Sequence, residues 1–70
     1  MVKDEEIFPI DTVVRIKSTG EFALIKKVSY LRDETKYQFL NYLAVIEGRG
    51  EGTYALYHDD IELEAWPLSM

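Results

Sequence analysis

The stretch TVVRIKSTGEFALIKKV, residues 12–28, constrains the fold more than any other part of the chain. Two runs rich in β-branched residues flank Ser18-Thr19-Gly20-Glu21, so the segment reads as strand, tight turn, strand. Gly20 can supply the positive φ that a reversing turn requires, at no steric cost. Val14 and Ile16 alternate with Arg15 and Lys17, the pattern of a half-buried strand. After the turn Ala23 and Ile25 share a face, and Val28 falls out of phase with them. A bulge at Lys26-Lys27 brings Val28 back to the core side, which predicts a long, bent second strand continuing to Tyr30 and Leu31.

A chain of 70 residues is one small domain. It buries only about 60% of the surface that its unfolded form exposes. It has no cysteine and one histidine, so no disulfide framework, metal or cofactor is expected. Stability then falls to packing and to self-association. The acidic start, Met1 to Glu6, lacks the basic and apolar runs of a secretory signal. The longest apolar run, Leu43 to Ile46, is too short to span a bilayer, so a cytoplasmic location without membrane contact is expected.

The remaining segments are short. Residues 1–7 read as a flexible acidic N-terminus, 8–66 as a single domain, and 67–70 as a tail. Pro9 pushes Phe8 towards extended geometry, placing 7–10 across the end of a barrel. Residues 32–36, RDETK, form a charged surface loop. Residues 39–46 read as a strand with Tyr42, Ala44 and Ile46 inward and Leu43 and Val45 opposite. The alternative is a helix over 35–47, capped by Asp33 and ended by Gly48. Gly48, Gly50 and Gly52 mark a hairpin loop leading to a fourth strand over 53–57. His58-Asp59-Asp60 suits a single helical turn, and Ile61-Glu62-Leu63-Glu64 alternates as a fifth strand, which Pro67 prevents from continuing.

The segments VVRIKSTGEFALIKKV, YLAVI, GTYALY and DDIEL together resemble the Src-homology-3-like (SH3-like) small barrels. Within that group the pattern is closest to the KOW and Tudor-type branches and to short uncharacterised bacterial or phage proteins. The resemblance covers roughly residues 8–64. It implies an all-β, five-stranded small barrel with a short helical turn before the last strand. Phe22-Ala23 stands where a KOW motif usually carries a second glycine, and the proline-binding aromatic signature of signalling domains is absent.

Catalysis needs a nucleophile, a base and an orienting group held together. Ser18, Ser29 and Ser69 have only His58 as a conventional base, and no spacing pairs them; no enzyme is expected. His58-Asp59-Asp60 reads as a capping turn, since three adjacent side chains rarely converge on one ion. Gly48 to Gly52 lacks the lysine and helix of a phosphate-binding loop.

Charge is uneven along the chain. The net charge is −5, yet residues 12–32 carry five basic side chains against Glu21, and residues 37–70 carry only Arg49 against six acids. Arg15, Lys17, Lys26, Lys27 and Arg32 form the candidate polyanion face, although the acidic whole disfavours nucleic acid at long range. The same contrast could pair the hairpin of one copy with the acidic half of another. Tyr30, Tyr54, Tyr57, Asp59 and Asp60 form a candidate aromatic and acidic rim, since Tudor-like barrels hold methylated cations between rings and an acid. The bland alternative is that Tyr30, Tyr37, Phe39, Tyr42, Tyr54 and Tyr57 mostly fill the core and its edge. The expectation is a noncatalytic interaction module that binds a protein partner. The alternative is a nucleic-acid-associated accessory domain using the basic face of the first hairpin.

Overall fold

The structure, a computed structural model, describes residues 2–68. Met1, Ser69 and Met70, and with them the end of the expected tail, lie outside the described residues. Five strands follow in order: β1 (Val13–Ile16), β2 (Phe22–Arg32), β3 (Tyr37–Ile46), β4 (Thr53–Leu56) and β5 (Ile61–Ala65). Two 3-10 turns, Asp4–Glu6 and His58–Asp60, are the only helical elements among the described residues. The all-β expectation holds, and residues 37–46 are strand, not helix.

The first hairpin folds as its sequence dictates. Gly20 takes φ +79°, its N–H donates to the Ile16 carbonyl at 2.7 Å, and the Ile16 N–H donates to Glu21 at 2.8 Å. Along β2, Ile25 pairs with Ala44 and Lys27 with Leu43, so Lys26 is the extra residue of a bulge. The bulge returns Val28 to the core side, where it packs against the buried cluster. On β3 the buried residues Tyr42, Ala44 and Ile46 alternate with half-buried Leu43 and Val45. Pairing of Arg32 with Tyr37 shortens the expected loop to residues 33–36.

All the strand pairs are antiparallel, in the order β4-β3-β2-β1-β5. The expected five strands form one antiparallel sheet, which is not closed into a barrel. In a flat sheet the two edge strands would stand about 19 Å apart, four strand spacings. Leu56 on β4 and Ile61 on β5 nonetheless share one core cluster with Val14, Ile16, Ile25 and Tyr42. The sheet therefore curls over its core while its edges stay unpaired. The reason lies in the chain between those edges, because the His58–Asp60 turn bonds to the first hairpin. The Lys17 N–H donates to the Asp60 carbonyl at 2.7 Å. The Ser18 N–H and hydroxyl donate to the Asp60 carboxylate at 3.1 and 2.7 Å.

The N-terminal segment lies against the core. Ile7 and Phe8 pack on the cluster, and the Asp11 N–H donates to the Ile25 carbonyl at 2.7 Å. Thr12 is fully buried, and its hydroxyl has no hydrogen-bond partner among the described residues. Burying such a group uncompensated costs stability.

Candidate functional site

The aromatic rings gather at one end of the sheet around Tyr42, whose side chain is fully buried. Its hydroxyl accepts the Phe8 N–H at 3.0 Å and lies 2.8 Å from His58 Nδ1. Burial pushes the Tyr42 hydroxyl above its ordinary pKa of 10.0, so it stays a proton donor across the physiological range. Phe8 stacks on His58 with centroids 5.3 Å apart and meets Trp66 edge-on at 5.9 Å. Phe39 lies 4.8 Å from Tyr42.

From this base the rings climb outward along the β2–β3 ribbon. Tyr30 meets Phe39 at 6.4 Å and Tyr37 at 6.5 Å, both edge-on, and the Arg32 guanidinium lies 5.9 Å from the Tyr37 ring centre. These residues share a face because Tyr30 pairs with Phe39 and Arg32 with Tyr37. A second irregularity makes Leu40 the extra residue of β3, between the Ser29–Asn41 and Tyr30–Phe39 pairs. Between this ribbon, the Asp4–Glu6 turn and the His58–Asp60 turn lies a groove of about 490 Å³. Tyr37, Phe39, Leu40 and Tyr57 give it apolar and aromatic walls, and Asp4 and Asp59 outnumber Lys36 among its charged lining.

The rim residues expected from the sequence are divided. Tyr57 and Asp59 line the groove, and Tyr30 reaches it through its contacts with Tyr37 and Phe39. Tyr54 lies elsewhere, with the Arg49 guanidinium 5.3 Å from its ring centre, and Asp60 is turned to Ser18. The six rings divide between the core and its rim, with Phe39 packed against the core cluster. Tyr42 alone of the six is buried, whereas Tyr30, Tyr37, Tyr54 and Tyr57 are 39–66% exposed. β2 and β3 outrun their neighbours, so their far ends form a two-stranded ribbon that no other strand flanks among the described residues.

The five basic residues are also divided. Arg15 is ion-paired with Glu62, and Arg32 belongs to the aromatic face. Lys17 follows the end of β1, leaving Lys26 and Lys27 adjacent at the bulge. Glu21 and Arg49 form a second ion pair at 2.5 Å, which lowers the Glu21 carboxyl pKa through hydrogen bonding. Both ion pairs join the basic-rich first half to the acidic second half. Asp4 is absent from the residues the sequence offers for a site. The signal for Asp4 is the apolar anchor Ile7-Phe8, which brings the preceding acidic turn over the ribbon.

Among the described residues no group of three His, Cys, Asp or Glu side chains could hold a metal ion, and no helix is long and apolar enough to cross a membrane. The geometry defines a small, open, all-β sheet domain with an acid-edged aromatic groove. Compared with protein-family models, with curated proteins and with solved structures, the chain matches none of them.

Proposed function

We infer that this chain is a noncatalytic cytoplasmic interaction module that receives an extended, basic segment of a protein partner in the aromatic groove. The observation that carries this reading is the groove itself, where exposed rings stand beside Asp4 and Asp59, two acids against the single cation Lys36. A lysine or arginine side chain satisfies both features, its stem packing on the rings and its charge meeting the carboxylates. Exposed aromatic rings are also the side chains that contribute most to protein recognition. The fold reading that accompanies this is an opened SH3-like small barrel. It is supported by the strand order, the bulged long second strand and the 3-10 turn before the last strand.

Isotope-labelled protein titrated with short peptides carrying lysine, arginine or trimethyllysine tests the reading. Amide shifts are expected at Tyr37, Leu40, Tyr57 and Asp59, and Asp59→Asn with Tyr57→Ala should remove them. Unchanged spectra with all three peptides refute it. Salt-sensitive retention on an immobilised oligonucleotide, lost in Lys26→Glu/Lys27→Glu, would instead favour the nucleic-acid accessory role.

A further inference from the structure

We propose that the outer face of the sheet, opposite the core, is the interface of a weak two-fold symmetric homodimer. Strand register arranges that face in rows across the strands. The middle row is apolar, with Val13 paired to Leu24 and Leu24 to Val45. On one side of it stand Phe22, paired with Arg15, and Glu47, whose N–H donates to the Phe22 carbonyl at 2.9 Å. On the other side stand Lys27 and Leu43, with Lys26 beside them in the bulge. A shallow groove of about 300 Å³ runs over Val13, Leu24 and Val45 and is bounded by Phe22 and Glu47.

A sheet carrying apolar residues on both faces needs a layer on each. The inner face has its core, and among the described residues nothing covers the outer one. Charge selects the occupant. Within these rows Arg15 is paired with Glu62 and has Glu64 as a further acidic neighbour, which with Glu47 leaves the Phe22 side acidic; Lys17 lies beyond the last row, past the end of β1. The opposite side carries two lysines. A partner must therefore present acid, apolar row and base in the reverse order. A second copy turned about a two-fold axis running across the strands does this, bringing the Lys27 side of each copy over the Glu47 side of the other. The middle rows then meet each other, and the contact is isologous. Four strands by three rows cover roughly 400 Å² per copy. The total of roughly 800 Å² lies below the range of stable interfaces, so the dimer is weak and reversible. The bulge has a role here, because its extra residue sets two consecutive lysines beside the apolar row.

Sedimentation equilibrium at low salt, from about 10 µM to about 1 mM, tests the proposal. The wild-type mass should rise towards twice the monomer. Lys27→Glu and Glu47→Lys should each weaken association by about tenfold or more, since each sets like charges together in both symmetric contacts. An equimolar mixture of the two should recover association, because the heterodimer restores both attractive pairs. The double variant Lys27→Glu/Glu47→Lys should recover it alone. Recovery requires folded partners, so it separates a lost contact from a lost fold. A wild type that stays monomeric overturns the proposal and leaves the face to a different partner. Single variants that associate like wild type, or a mixture that does not recover, overturn it equally.

Discussion

Replacing Tyr42 by phenylalanine removes one oxygen and leaves the ring in place, so no cavity opens and the change reads out hydrogen bonding alone. That oxygen satisfies the Phe8 N–H at 3.0 Å and bonds His58 Nδ1 at 2.8 Å. Each bond contributes about 1 kcal/mol net, and an amide stranded in a partly buried site costs about 1 kcal/mol more. The expected loss is therefore about 2–3 kcal/mol, or a fall in Tm of about 10–20 °C for a domain of this size. Urea denaturation followed by far-UV circular dichroism should show an earlier midpoint with an unchanged slope. His58→Phe should cost less in the Tyr42→Phe background than in the wild type, because the shared bond is already gone. The same hydroxyl sets a pH dependence. Its pKa is raised by burial, so its contribution is fully present below the unfolded value of 10.0 and is lost as pH rises through the higher folded value. Above about pH 10 the wild type should lose stability through this group, whereas Tyr42→Phe should lack that component. A loss below about 0.5 kcal/mol, or additive costs for the two substitutions, would refute the network.

Three other perturbations have definite outcomes. Thr12→Val replaces a buried, unpartnered hydroxyl with a methyl group of similar size, and should raise thermal stability by about 1 kcal/mol; a loss of that size would show that the hydroxyl is satisfied. Asp60→Ala frees the Ser18 N–H and hydroxyl and should cost about 1 kcal/mol in chemical denaturation, with hydrogen exchange accelerating first at Lys17 and Ser18. Gly20→Ala forces a Cβ into φ +79° with open space around it, so the expected cost of about 1 kcal/mol is backbone strain alone. An unchanged midpoint for that variant would mean that the turn relaxes.

Legibility in the sequence followed the range of the interactions. The first hairpin was readable because turn chemistry and a two-residue period act within a few positions. The bulge was readable because Val28 falls one step out of phase with Ala23 and Ile25, and a single extra residue corrects this. Segment 35–47 was ambiguous because its polar first half and Gly48 also suit a helix, and pairing with β2 along its whole length decided it. The candidate site was half legible. Tyr57 and Asp59 were picked out by type, whereas Asp4 joins them only because Phe8 is anchored by a hydroxyl 34 positions away.

The chain's own order of residues thus determined the first hairpin, its bulge, and the inward alternation of Val14, Ile16, Ala23 and Ile25. Only the tertiary structure decided that the sheet curls without closing, because Asp60 bonds to Ser18 across 42 positions. It also decided which aromatic rings stay exposed, since the ends of β2 and β3 extend past the strands that would flank them. Local patterning specifies which way a side chain points. Which distant group it meets depends on how far each strand runs before its neighbour stops.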